Sequence, residues 1–464
     1  MSTVPRQPVV GIDGLGHVGL ATGLAFAARG WNVVGFDIQA RVRKALGRGR
    51  ATIHEEGLDV LLKAQSRSGR FRVVDSVDEL AKSAECLFLC LPTPSGPDGR
   101  IDLRPLEAGV AELGRALRSV PGYRLVVVKS TVVPGTTEEV VAPDMRRTSG
   151  RSSRQLGVAA NPEFLSEGSL VSDALQPSRV VIGTSEPRAS RLLRRLYAPF
   201  RSPVFELSPS GAELVKYSAN SFLALKVSFA NEISRVAEAV GTDIDEVMEA
   251  VGSDPRIGPR FLKAGPGFGG SCFDKDVRAI SRKTRDLHRP FRLAEATLQV
   301  NEEQVDHVLR LVRRAAGGTL RGRTVALLGL AFKEGTDDVR ESRAMPIAEA
   351  LLAAGATVRG HDPVAKENFA LAWRDLHPRP NARLRLFSSL PAALDGVDLA
   401  VLQAPWPLYR SWRREWTGRM RVPLLVDLRR ALSPARAADS GLRLVALGRA
   451  GPSVRKPLGH RGAR

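Results

Sequence analysis

Cysteine is almost missing from this chain: three of its 464 residues are cysteines, Cys86, Cys90 and Cys272. So few thiols, odd in number, argue against a disulfide framework and against a structural zinc site. Aromatic residues are also scarce, at 5%, and no stretch interleaves them with basic residues as a nucleic-acid-binding strip does. No apolar run approaches the roughly 18 residues that a membrane-spanning helix needs. The opening MSTVPRQPVV lacks the charged-then-apolar order of a secretory signal, so a cytoplasmic protein with no membrane partner is expected. Acidic residues are outnumbered, 49 Asp and Glu against 69 Lys and Arg, leaving a formal charge of +20. The basic residues are spread along the chain, with only a short basic tail, RKPLGHRGAR, at the end. A solvated arginine-rich surface explains that better than a nucleic-acid partner, although a positive field would also attract an anionic substrate.

A 43% hydrophobic content and this length suggest roughly two to four globular domains. PVVGID, WNVVGFD, ECLFLCLP, RLVVVKST, QLGVAANP and RVVIGT read as buried strands separated by helical stretches. Apolar strands alternating with helices imply parallel pairing in a doubly wound sheet. From about 208 to 250 the chain carries no proline after Pro209 and repeats apolar residues at helical spacing, so a long bridging or dimer-forming helix is expected. A second α/β pattern begins near 318 with RTVALLGLAF, ATVRGHD, DLAVLQAP and PLLVDLR. The fold class expected is α/β, two Rossmann-like doubly wound parallel-sheet domains joined by a central long-helix segment. The corresponding bounds are 1–206, 207–305 and 318–450, with a basic tail over 451–464 expected to fray.

In GIDGLGHVGLATGLAFAARGWNVVGFD, Gly14, Gly16 and Gly19 have G-x-G-x-x-G spacing between a strand and a helix. Gly14 permits the tight turn, Gly16 lets the backbone approach a pyrophosphate, and Gly19 allows close helix packing. The helix N-terminus offers free N–H donors to the phosphates. Asp37, ending the next strand, can accept from both ribose hydroxyls and would repel a 2′-phosphate, which favours NAD over NADP. Asp13 is unusual, because an apolar residue is expected before the first glycine.

The chain also contains LPTP, KSTVVPGTT, NPEFLSEGSL, QPSRVVIG, AELVKYSANSFLALKVSFANE, DPRIGPRFLKAGPGFGGSCFDKD, GLAFKEGTDDVRES and VDLRR, in that order. Together with GLGHVGL they resemble the UDP-glucose dehydrogenase family of nucleotide-sugar dehydrogenases, from residue 9 to about 430. The resemblance implies NAD as cofactor, a UDP-sugar as substrate and a homodimer or higher homo-oligomer. It implies four-electron oxidation of an alcohol to a carboxylate, and the residues suit that chemistry. A thiolate can capture the intermediate aldehyde as a thiohemiacetal, which loses a second hydride to become a thioester that water releases. Cys86 and Cys90 lie in an apolar run and read as small hydrophobes; Cys272 alone sits in a flexible, polar, glycine-rich loop where a thiolate could be stabilised.

By resemblance, Lys216 and Asn220, four apart on one helix face, belong to the reacting centre. There Lys216 would stabilise oxyanion charge and Asn220 would hold the hydroxyl or a water. Asp276 would help activate water or support Lys216, and Glu163 would act as acid or base with Thr131 holding the water beside it. Val18, Thr93, Pro94, Ser130, Thr131, Glu167, Lys275 and Arg340 would join the three glycines and Asp37 around the cofactor. Phe164, Leu165, Phe261, Lys263, Phe268, Gly269, Lys333 and Arg429 would face the sugar nucleotide with Glu163, Lys216 and Asn220, while Arg256 would reach a neighbouring subunit's site. Arginine suits diphosphate contacts because its donors form a planar fork. Two departures stand out: His17 where the family usually has tyrosine, and QAPWPLY, keeping only Trp406 of a threonine-glutamate-tryptophan pattern. UDP-glucose is the expected substrate. GDP-mannose or UDP-N-acetylhexosamine oxidation and a non-catalytic NAD/nucleotide-sugar sensor are the alternatives.

Overall fold

The computed structural model describes residues 7–96 and 98–449; the expected basic tail lies outside the described residues. The fold contains two sheets and is α/β, as the alternation of patterns implies. The first sheet uses β1 (Val10–Asp13), β2 (Val33–Phe36), β3 (Phe71–Val73), β4 (Cys86–Leu89), β5 (Arg124–Val128), β6 (Leu156–Ala160), β7 (Val180–Gly183) and β8 (Val204–Leu207). Their spatial order is β3-β2-β1-β4-β5-β6-β7-β8. The second uses β9 (Thr324–Leu328), β10 (Thr357–His361), β11 (Leu384–Phe387), β12 (Leu399–Leu402), β13 (Leu424–Asp427) and β14 (Arg443–Ala446), ordered β11-β10-β9-β12-β13-β14. The second sheet is parallel throughout. The first departs from all-parallel pairing once, where β6 meets β7 antiparallel through Ala160 and Gly183.

The described residues form two compact units, 7–219 with 282–288, and 220–281 with 289–449. In the first unit, apolar residues from both faces of the sheet form two cores, one including Ile12, Phe26, Phe88 and Val127, the other Leu87, Leu89, Val126 and Val128. In the second unit, Val325, Leu327 and Val401 face one core, and Ala326, Leu328 and Leu402 face another. Strands covered by helices on both faces must be apolar at every position, which is why the interior strands read as continuous hydrophobic runs.

The expected helix over about 208–250 is two helices. The central helix spans Pro209–Val240, and a second spans Ile244–Gly252. Gly241 adopts φ 84° between them, and the Asp243 carboxylate caps the second helix by accepting from the Asp245 N–H at 2.9 Å. Arg430 and Arg449 also donate to Asp243. This break ends the first helix and fixes the second to the strand ends of its own unit.

Asp13 closes β1 almost entirely buried. Burial, followed by the nearby carboxylates of Glu112 and Asp37, raises its pKa to about 7. A carboxyl whose pKa is higher folded than unfolded favours folding when protonated. That advantage is present at low pH and disappears as pH rises from about 4 to about 7. Asp13→Asn should therefore raise the melting temperature more at pH 8 than at pH 5. Thermal unfolding at both pH values checks this; equal shifts would show that Asp13 does not titrate in that window.

Candidate functional site

The glycine fingerprint follows β1 as its spacing demands. Gly14 adopts φ 92°, and a Cβ there would lie 2.5 Å from the Cys90 carbonyl oxygen. A Cβ on Gly19 would sit 1.8 Å from the Gly14 carbonyl oxygen, so the helix His17–Ala28 can approach the turn only with glycine there. A Cβ on Gly16 would meet nothing within 4 Å. The turn therefore opens above Gly16, at the end of a helix whose first N–H groups lack intrahelical partners. Val18 lies in that first turn. Asp37 is buried and accepts from the Leu15 N–H at 2.9 Å and the Gln39 N–H at 2.8 Å. An ionised carboxylate has about four acceptor positions, so Asp37 retains capacity for ribose hydroxyls. These residues fit a dinucleotide.

The loops after β4 and β5 are tied together: Thr93 donates to the Thr131 carbonyl at 2.9 Å and Ser130 to the Leu91 carbonyl at 2.7 Å. Pro94 accepts at its carbonyl from the Asp102 N–H at 2.8 Å. Beside them, Thr131, Ser130, Pro162, Glu213 and Lys216 line a water-sized cavity of about 10 Å³. Lys216 donates to Glu163 at 2.7 Å with both side chains buried, and Glu163 also accepts from the Leu165 N–H at 2.5 Å. Burial pushes Glu163 up, but the charge and hydrogen bond of Lys216 outweigh it and hold the carboxyl below its usual range. The Lys216 ammonium also lies 5.7 Å from the centre of the Phe164 ring, and Arg179 stacks on that ring at 3.8 Å. Lys129 is a neighbour that sequence reasoning missed, although it opens the KST stretch. It donates to Asn161 at 3.0 Å, and burial lowers its pKa to about 8.

In the second unit, Cys272 immediately precedes the helix Phe273–Asp286, and its carbonyl accepts from the Asp276 N–H at 2.9 Å. A thiolate at a helix N-terminus is favoured by the dipole and the free N–H groups. Its Sγ lies 3.7 Å from Ser271 Oγ. Asp276 is buried and accepts from Asn220 at 2.7 Å and Lys275 at 2.7 Å, which occupies the carboxylate and offsets its charge. Lys216 and Asn220 fall one turn apart on the buried side of the central helix.

The loop before Cys272 is braced rather than flexible. Gly265 donates to Asn231 at 2.8 Å and accepts from Gln304 at 2.7 Å; the Phe268 N–H and carbonyl bond Asn301 at 2.7 and 3.1 Å. A Cβ on Gly269 would lie 2.2 Å from the Glu341 carbonyl oxygen. Phe261 has φ 66° and, like Phe268, sets its ring 6.0 Å from Phe273. Lys263 is exposed. Arg256 and Arg340 form surface ion pairs with Asp254 and Asp338 at 2.6 and 2.5 Å, and Lys333 lies 5.3 Å from the Phe332 ring centre. Glu167 is half-buried after NPEFL.

Arg429 stands apart. Its Nε donates to the Gln403 carbonyl at 2.7 Å, and among the described residues no carboxylate bonds its guanidinium. Burial and the nearby Arg343 push its pKa down to about 10. A Cβ on Gly265 would come 3.0 Å from Arg429 Nη1, so the guanidinium lies against the braced loop. Arg343, which the sequence reading passed over although it directly follows DVRES, donates to the Pro266 carbonyl at 3.2 Å and the Asn301 carbonyl at 2.9 Å. Two guanidiniums this close suit a diphosphate.

Comparison with known proteins places this arrangement. The NAD-binding, central and UDP-binding domains of the UDP-glucose/GDP-mannose dehydrogenase family match residues 9–201, 210–303 and 326–434. A UDP-glucose 6-dehydrogenase of Pseudomonas aeruginosa is 42% identical over 94% of this chain and 97% of its own length. The Haloferax volcanii enzyme of that name is 39% identical over 92% and 98%. A UDP-glucose dehydrogenase structure from Pyrobaculum islandicum superposes with a TM-score of 0.86 at 39% identity, covering 93% of this chain and 96% of that one. Three domain matches in order, and relatives of this similarity over nearly the whole length, show that the chain belongs to the UDP-glucose/GDP-mannose dehydrogenase family.

Proposed function

We propose that the protein oxidises UDP-glucose to UDP-glucuronate in a four-electron reaction that consumes two NAD and proceeds through a thioester on Cys272. The observation that carries the covalent step is how the three thiols are sorted. Burial pushes Cys86 far up and Cys90 up to about 12, so neither supplies a thiolate near neutral pH. Cys272 instead stands at a helix N-terminus. A working free thiol fits a reducing, cytoplasmic setting.

Gly14, Gly16, Gly19 and Asp37 would hold NAD, which would supply the acceptor for both hydrides. Lys216 stabilises negative charge developing on the sugar oxygen, and its ion pair with Glu163 holds the side chain in place. Asn220, oriented by Asp276, holds the hydroxyl of the sugar. The Cys272 thiolate adds to the aldehyde carbon, forming a C–S bond while the carbonyl oxygen takes a proton. Loss of the second hydride and of that proton gives the thioester. Water adds to the thioester carbon, the C–S bond breaks, and the carboxylate leaves with the thiol restored. Glu163 and the water-sized cavity beside Thr131 support a role in placing that water. Arg429, Lys333 and the braced loop hold the diphosphate and nucleoside.

The central helix supports a homodimer. Phe222, Phe229 and Val236 recur every seven residues and are 61%, 44% and 54% exposed, with Val240 on the same face at 70%. Large apolar side chains in one stripe mark an association surface. Replacing Phe222 and Phe229 together by glutamate should convert a dimer to a monomer in light scattering. An unchanged mass would place the interface elsewhere.

The reaction is tested by following NADH at 340 nm with UDP-glucose, GDP-mannose and UDP-N-acetylhexosamines. About two NADH per sugar with UDP-glucose preferred is expected, since a four-electron oxidation needs two hydride acceptors. One NADH per sugar, or turnover of another sugar alone, would overturn the assignment. Cys272→Ala should release no acid while still binding NAD and UDP-glucose in calorimetry; normal acid production would eliminate the thioester.

A further inference from the structure

We infer that Gln403 recognises the uracil of the sugar nucleotide, making it a specificity residue at the end of β12. The inference rests on the UDP-sugar reading above. Three observations point to the same place. The order β11-β10-β9-β12-β13-β14 reverses direction between β9 and β12, and in doubly wound sheets ligands bind outside the carboxyl ends of the strands at such a reversal. Gln403 is the first residue beyond β12, and its N–H bonds the Leu328 carbonyl at the end of β9 at 2.8 Å. It therefore sits at the reversal itself.

The second observation is its side chain. Gln403 is 0% exposed, yet neither Oε1 nor Nε2 of the carboxamide has a hydrogen-bond partner among the described residues. Buried carboxamides are nearly always bonded, and one lacking both bonds calls for a partner. Alternation along β12 sets its direction. Leu399 and Val401 face the core that contains Leu262, Ala264 and Leu428, whereas Ala400 and Leu402 face the other. Gln403 continues the first series, so its amide points to the side of the segment that leads into the braced glycine loop.

The third is Arg429. The Gln403 carbonyl holds Arg429 Nε at 2.7 Å, and the guanidinium, hydrogen-bonded to no carboxylate among the described residues, lies against Gly265. A diphosphate on Arg429 leaves its nucleoside within reach of the neighbouring carboxamide. The chemistry then chooses the partner. Uracil carries an N3–H donor flanked by two carbonyl acceptors, and a primary carboxamide offers the complementary pair. Oε1 accepts from N3–H while Nε2 donates to a ring carbonyl.

The test measures binding of UDP, and of UDP methylated at uracil N3, to the full-length wild type and to Gln403→Leu, by calorimetry. Wild type should bind UDP roughly tenfold more tightly than the methylated probe, and Gln403→Leu should lose roughly tenfold for UDP. In the variant the two ligands should bind alike, because both changes remove the same contact. Gln403→Leu that binds UDP like wild type, or that preserves the full preference for UDP, overturns the inference. A melting temperature that rises with unchanged UDP affinity also overturns it, assigning Gln403 a purely structural part. In either case wild-type UDP-glucose oxidation would still stand. Wild type that fails to bind UDP at all overturns the UDP-sugar reading and this inference together.

Discussion

Backbone that leaves regular secondary structure inside a protein must find its hydrogen bonds in side chains, and the segment before Cys272 depends wholly on that constraint. Gly265, Pro266, Gly267 and Phe268 are buried in neither helix nor strand. Three carboxamides, Asn231, Asn301 and Gln304, satisfy Gly265 and Phe268 from two helices, and Arg343 takes the Pro266 carbonyl. Each lost partner would strand a buried peptide group at about 1–3 kcal/mol. Glycine is required because the braces come so close: a Cβ on Gly267 would sit 2.6 Å from Asn301 Oδ1. The segment leading to the thiol is thus held by polar side chains from neighbouring helices, and the glycines supply closeness rather than mobility.

Buried charge is treated in two contrasting ways. Glu163 and Lys216 neutralise one another, and Asp276 is held between Asn220 and Lys275. Opposite charges and hydrogen bonds hold these groups in place, which suits a centre where charge develops and disappears. Arg429 and Arg343, in contrast, repel each other, and among the described residues neither is hydrogen-bonded to a carboxylate, although Asp427, Glu334, Asp274, Glu341 and Glu302 lie within electrostatic range. Holding two cations together against desolvation is unfavourable in isolation. An anionic ligand would reverse the sign of that balance, which supports the proposed role of this pair in holding a diphosphate.

The parts of the fold legible in the sequence were those whose residues answer to one demand. Interior strands such as β4 and β12 are apolar at every position and were read directly. The unread strands, β3, β8, β11 and β14, are the four sheet edges. Phe71-Arg72-Val73 and Arg443-Leu444-Val445-Ala446 mix charge with apolar residues because one side of an edge strand faces water. The fingerprint glycines, Asp37 and Cys272 were legible because their chemistry fixes residue type and spacing together. Asn231, Asn301, Gln304 and Arg343 were not, since a carboxamide or arginine inside a helical pattern gives no sign of which loop it will brace. The antiparallel step between β6 and β7 was equally hidden, because a buried apolar strand looks the same in either direction.

The two sheets meet one geometric problem alike and then diverge. After β1 and after β9 the chain turns so tightly against a neighbouring strand end that only glycine fits: Gly14 has φ 92° and Gly329 φ 87°, and a Cβ on either would lie 2.5 Å from the backbone of Cys90 or Ala404. Each turn is then tied to an aspartate at the end of the adjoining strand, Asp37 or Asp362. Asp37 accepts two N–H groups and keeps room for hydroxyls. Asp362 accepts from Leu330, Ala331, Val364, Ala365 and the Trp406 indole, five donors against about four acceptor positions. A saturated aspartate cannot grip a ribose. In the proposed UDP site, recognition of the nucleoside then falls to another group at the same end of the sheet, and the Gln403 carboxamide, without a hydrogen-bond partner among the described residues, is the one that the reversal between β9 and β12 puts there.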